Sequence, residues 1–180
     1  MAAIVLAASC DKGFEDRYWD NPISWGEAVS MSNNELYQYC LDSLDTDNNG
    51  IITYEEIKDV TAIDCHSRGM NSLSGIEIFP KLDTVICYDN RLTLLDLSTV
   101  PNLKYLDCSQ NQLKELNVSM TSISTLFACP MDGSGGKNLL NFLYIHQGQQ
   151  IEFVTSNRKE ASPKRLPDET VIVAIPAAKD

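Results

Sequence analysis

The sequence predicts an α/β fold: a short solenoid of stacked parallel strands, four to five turns long, led by a helical segment and closed by a β cap. Three observations carry this expectation. Apolar residues recur in an L-x-x-L-x-C pattern, most clearly at "LDTVIC" (82–87) and "LKYLDC" (103–108). Cys65, Cys87, Cys108 and Cys129 stand 22, 21 and 21 residues apart, a fixed period that points to repeats and away from a disulfide framework. Ahead of them, "DTDNNGIITYEE" (45–56) has the residue order of a cation-binding loop.

With 180 residues and 43% hydrophobic side chains, the chain can bury a core. Its net charge of −11 is uneven: residues 11–59 hold 12 acidic and 3 basic side chains (net −9), whereas residues 60–180 hold 13 and 11 (net −2). An acidic front repels a phosphate backbone, and no basic stripe with interleaved aromatics occurs, so nucleic acid is not an expected partner. A cation is.

Residues 1–10, "MAAIVLAASC", form a short apolar run that ends in small residues before Cys10. The run resembles a bacterial lipoprotein signal, which implies a lipid on Cys10 and a place in the bacterial cell envelope, exposed at the surface. Membrane contact is expected through that lipid alone, because no stretch reaches the roughly 18 apolar residues of a span. Residues 11–31 are polar with scattered aromatics and read as a tether.

Residues 32–59 are expected to form the cation-binding segment. "SNNE" (32–35) has capping-box spacing, and Leu36, Tyr39, Cys40 and Leu44 follow at helical intervals, predicting a helix of about three turns. After the loop, Thr53 and Glu56 make a second capping pair that opens a short helix at "YEEIKD" (54–59).

Residues 60–146 carry the repeats. "VTAIDC" (60–65), "LDTVIC" (82–87), "LKYLDC" (103–108), "ISTLFA" (123–128) and "LNFLYI" (140–145) are predicted as five successive rungs. Stacked strands lie about 4.8 Å apart, so their leucines and cysteines should form inward ladders. Asn90 and Asn111 are expected to turn inward and satisfy backbone groups where each strand ends. The first unit departs with Arg68 in the Asn column, the fourth with Ala128 in the Cys column, and the fifth with Ile145 there. In residues 147–180, "IEFV" (151–154) and "TVIVAI" (170–175) are predicted to be strands that cap the far end.

The fuller units, "CYDNRLTLLDLS" (87–98) and "CSQNQLKELNVS" (108–119), resemble the leucine-rich repeat with cysteine at one leucine position. In detail the pattern is similar to the short repeats of surface lipoproteins of the Bacteroidetes. The resemblance covers about residues 30–150, including the single EF-hand-like loop in front, which such proteins often carry.

In that loop Asp45, Asp47 and Asn49 take positions one, three and five, and Gly50 the sharp turn. Ile51 would offer its carbonyl, Thr53 would bind directly or through water, and Glu56 would bind bidentately, a set that suits Ca²⁺. Sensor loops work in pairs, so a lone loop reads as a clasp. The outward strand positions gather Tyr88, Tyr105, Phe127, Phe142 and Tyr144 on one surface, expected to meet a protein or carbohydrate ligand.

Catalytic signals are thin. The two histidines, His66 and His146, belong to no H-E-x-x-H motif, and G-x-S-x-G does not occur. "DGSGGKN" (132–138) fails as a phosphate loop, because Met131 and Asn138 occupy the first Gly and the final Ser/Thr positions. Cys129 with His146 is the remaining nucleophile–base combination. The expected function is a non-catalytic, calcium-stabilised repeat module, monomeric, that binds a protein or glycan at the bacterial cell surface. The alternative is a structural envelope protein or a subunit of a surface complex; a calcium-responsive switch ranks third and an enzyme last.

Overall fold

The computed structural model describes Val29, residues 35–128, Asn138, residues 140–153 and residues 171–175. Cys10, the tether other than Val29, Ser32 and Cys129 lie outside the described residues.

Helix α1 runs over Glu35–Ser43 and buries Leu36, Tyr39 and Cys40, the i, i+3, i+4 stripe of its sequence. Helix α2, Tyr54–Ile57, opens with Thr53 and Glu56 in the expected capping box and buries Ile57. Among the described residues eight short strands follow: β1 Ala62–Asp64, β2 Thr84–Ile86, β3 Tyr105–Asp107, β4 Glu115–Asn117, β5 Thr125–Phe127, β6 Phe142–His146, β7 Glu152–Phe153 and β8 Val171–Ile175. Every pairing is parallel, in two sheets ordered β1-β2-β3-β5-β7 and β4-β6-β8. Parallel neighbours need a crossover, and each crossover is one coil of a leucine-rich repeat solenoid. Register places Ile63, Val85, Leu106, Leu126 and Phe153 in one ladder, the first four buried at 0–1% exposure.

Asparagine amides bind the coils together. Asn111 donates to the carbonyls of Cys108 and Ser109 in its own coil and of Cys87 in the coil before, and accepts from Leu92 N–H at 3.0 Å. Asn90 repeats this, donating to Cys87, Tyr88 and Cys65 and accepting from Met70 N–H at 2.9 Å. Both side chains are buried. The residue before each asparagine, Asp89 (φ 56) or Gln110 (φ 53), is left-handed without being glycine. Such a conformation costs about 1–2 kcal/mol and persists here because the amide fixes the turn on both sides.

The fourth coil corrects the predicted phase. Asn138 is the next member of the asparagine column: it donates to Cys108 and Ala128 carbonyls and accepts from Leu113 N–H at 3.0 Å. "LNFLYI" is therefore the second half of the fourth coil. Its strand β6 pairs with β4 in the second sheet, Leu116 facing Leu143, and does not form a fifth rung beside β5. That rung is β7, where Phe153 follows Leu126. The strand expected at 170–175 likewise extends a ladder: β8 pairs parallel with β6, Leu143 opposite Ile172.

The cysteine column is core. Cys65, Cys87 and Cys108 are fully buried free thiols, and Cys40 from α1 joins the same core. Burial pushes Cys40 and Cys65 up to about 12 and Cys87 well above the ordinary thiol value. Thiols held protonated make poor nucleophiles and poor metal ligands, and pack as small hydrophobes.

Two predictions follow from this packing. Asn111→Ala orphans buried backbone groups and should destabilise the protein by about 2–4 kcal/mol in urea unfolding, whereas Gln112→Ala, at an exposed position, should stay within about 0.5 kcal/mol. The raised thiols bear on alkaline stability: the unfolded chain loses these protons near pH 9.0 and the folded chain keeps them. Their contribution is intact below pH 9.0 and is lost as pH rises toward about 12, which thermal unfolding scanned across that range should show.

Candidate cation loop and strand faces

The loop between the helices is shaped by its own side chains. Asp45 accepts from Asn49 and Gly50 N–H at 3.1 and 2.8 Å, Asp47 accepts from Asn49 N–H at 3.1 Å, and Asn49 accepts from Ile51 N–H at 2.7 Å. Asn48 (φ 57) and Gly50 (φ 78) supply the left-handed residues that bend the chain round them. The Tyr37 hydroxyl donates to the Gly50 carbonyl at 3.3 Å.

Glu56 closes the loop. One carboxylate oxygen accepts from Thr46 N–H and hydroxyl at 2.8 and 3.1 Å; the other accepts from Thr53 N–H and hydroxyl, both at 2.9 Å. Partial burial pushes Glu56 up, but these hydrogen bonds outweigh it and hold the group below its ordinary value, so it stays ionised.

Three carboxylates converge as the sequence predicts. Ligand oxygens of Asp45, Asp47 and Glu56 lie within 4.8 Å of one another. Calcium takes oxygens at about 2.3–2.6 Å, so ligands on opposite sides of an ion stand about 4.6–5.2 Å apart. Among the described residues, no basic side chain forms an ion pair with these three acids. The donor set, hard oxygen throughout, can hold a divalent cation of that size. Of the other expected ligands, the Thr53 hydroxyl donates to Glu56 at 2.9 Å, and Ile51 is separated from Thr53 by the fully buried Ile52.

The front segment is fastened to the first coil by contacts outside the loop. Glu35 accepts from Asn71 N–H and amide at 3.1 and 2.7 Å, and those bonds lower its pKa. Tyr39 hydroxyl accepts from Asp64 N–H at 3.3 Å, and Lys81 pairs with Asp59 at 2.5 Å. Arg68 has a purpose that its departure from the asparagine column left unexplained. Its guanidinium sits 4.9 Å from the Tyr39 ring centre and pairs with Asp42 at 3.2 Å. Sequence reasoning missed this clamp because its partners lie 26 or more residues away.

The expected aromatic surface divides between sheets. Tyr105 and Phe127 sit on β3 and β5 with ring centres 5.5 Å apart. Tyr88, two residues beyond the end of β2, stacks on His66 at 4.6 Å and 7°. Phe142 and Tyr144 lie on β6, in the second sheet, with ring centres 6.2 Å apart. This follows from the corrected phase: Phe142 aligns with Glu115 and Tyr144 with Asn117, not with Thr125 and Phe127. Cys129 lies outside the described residues, and His146 ends β6 in the second sheet.

No known family matches the chain, and no curated protein does. Among solved structures the chain is similar to the functional domain of InlJ from Listeria monocytogenes, described as including a cysteine ladder, at 22% identity and a TM-score of 0.44. The match covers 72% of this chain and 36% of that one, so the chain spans about a third of the length of its structural neighbour. The solenoid assignment rests on the ladders and register of this chain itself.

Proposed function

We propose that the chain is a non-catalytic binding module in which the outward face of the five-stranded sheet meets a protein or glycan ligand and a calcium ion clasps the front segment to the stack. The aromatic group on that face, Tyr105 with Phe127 and Tyr88 on His66, is the observation that carries the reading. Aromatic side chains offer large contact area for little lost rotamer freedom, and here Tyr105 and Phe127 project from strands whose interior neighbours, Leu106 and Leu126, are buried. They need little ordering on binding.

The ion's role is supported by the convergence of Asp45, Asp47 and Glu56. Like charges held this close repel, and a divalent cation between them turns the loop into a strut. The strut would steady α1, which carries Glu35, Tyr39 and Asp42 against the first coil, and α2, which leads into Asp59 and its pair with Lys81. At an extracellular level of ~1 mM and a dissociation constant of ~0.1 mM, binding would add about 1.4 kcal/mol. A place at the bacterial cell surface, anchored through a lipid on Cys10, is supported by the "MAAIVLAASC" pattern alone. A second reading, a subunit of a larger surface complex, is favoured by the Phe142–Tyr144 pair and by Ile172, 47% exposed at the end of an inward ladder.

Calcium at ~1 mM should raise the melting temperature by about 3–6 °C relative to chelator, and Asp45→Asn should abolish the shift; an equal melting temperature with and without calcium would overturn the clasp. For the ligand, arrays of immobilised glycans and extracellular proteins should yield a hit that weakens about tenfold or more in Tyr105→Ala and Phe127→Ala chains. A hit that survives both substitutions places the ligand elsewhere.

A further inference from the structure

The second sheet stops short of the front of the solenoid. Leu94, Leu95 and Asp96 hold in the second coil the places that Glu115, Leu116 and Asn117 hold in β4, and Leu95 is buried as Leu116 is. Yet these residues join no strand, and among the described residues none of their backbone N–H or C=O groups hydrogen-bonds to a neighbouring coil. The first coil lays no strand beside them, because its chain turns at Gly75 (φ 104) into the 3₁₀ helix Ile76–Ile78.

Between the two coils lies an open groove of about 300 Å³, lined by Leu73, Ile76, Leu94 and Leu95 together with Glu77 and Asp96. That volume is at the lower end for ligand sites, about 300–1,000 Å³. Among the described residues no basic side chain lines it. Glu77 uses one carboxylate oxygen on Gly75 N–H at 2.9 Å, and Asp96 uses one on Ser98 N–H and hydroxyl at 3.0 and 2.7 Å. Among the described residues the second oxygen of each acid makes no hydrogen bond. Leu94, 73% exposed, stands beside them.

We propose that this groove binds an extended, basic segment of a partner protein, its lysine or arginine heads on Glu77 and Asp96, its aliphatic stems over Leu94 and its backbone paired with residues 94–96. Backbone whose N–H and C=O groups no neighbouring coil binds can take up an added strand, with neighbouring pockets supplying specificity. Lysine and arginine combine an apolar stem with a cationic head, the combination this lining complements. The groove shares no residue with the aromatic face of the first sheet, so it stands or falls independently of the ligand reading above.

The test is fluorescence anisotropy of the full chain with a labelled Val-Lys-Leu-Lys-Val peptide at low salt. Saturable binding is expected below about 1 mM, weakened about tenfold by Glu77→Gln with Asp96→Asn, weakened also by Leu94→Ser and abolished in Val-Glu-Leu-Glu-Val. Unchanged melting temperatures would show that these exposed substitutions leave the fold intact. Absence of saturable binding, equal binding by the substituted chains, equal binding of the glutamate peptide, or loss through Tyr105→Ala would each overturn the proposal.

Discussion

An asparagine amide in the turn that follows the first-sheet strand, present in the second, third and fourth coils, is the interaction on which the rest of the structure depends. A three-residue strand cannot satisfy the backbone of the turn that leaves it, and that turn lies against a buried apolar core. Asn90, Asn111 and Asn138 solve this by binding carbonyls in two successive coils while accepting a backbone N–H from the earlier one. A buried polar group left unpaired costs about 1–3 kcal/mol, so each amide bears on the placement of both coils it joins. Cysteine follows from the same crowding, because the side chain before the turn must be small, apolar and fully enclosed.

The surfaces inherit their character from this frame. The three-residue strands β1, β2, β3 and β5 each bury their middle side chain, so a ligand face is made of columns of the flanking residues that run across coils. The first coil, with Arg68 in place of asparagine, spends that position on Tyr39 and Asp42 and so receives the helical front segment. Cys40 carries the thiol-rich core into the helix on the same side. The loop at 45–56 thus sits where a bound ion could act on the stack through α1 and α2, without touching a strand.

Much of this was legible in the sequence, and the part that was not has a specific cause. The helices, the capping pair Thr53–Glu56 and the first four rungs follow from periodicity and from residues whose roles are local. The fifth rung was misplaced because L-x-x-L occurs twice in each coil: Leu103 and Leu106 open a unit, and Leu113 and Leu116 continue it. Only the cysteine and asparagine between them tell the two apart. In the fourth coil the gap from the Cys position to asparagine widens from 3 residues to 10, from Ala128 to Asn138, which hid the marker inside an apparent glycine-rich connection. The convergence of Asp45, Asp47 and Glu56 was readable because all three lie within one loop, whereas the division of the aromatics between sheets depended on the phase that was missed.

Native-state hydrogen exchange tests the central claim most directly. If the asparagine column holds the coils as one cooperative unit, the amides of Met70, Leu92 and Leu113, each bound by an asparagine of the following coil, should exchange together at the free energy of global unfolding. Exchange of these amides one coil at a time, as fast as amides of the exposed 45–50 loop, would contradict it.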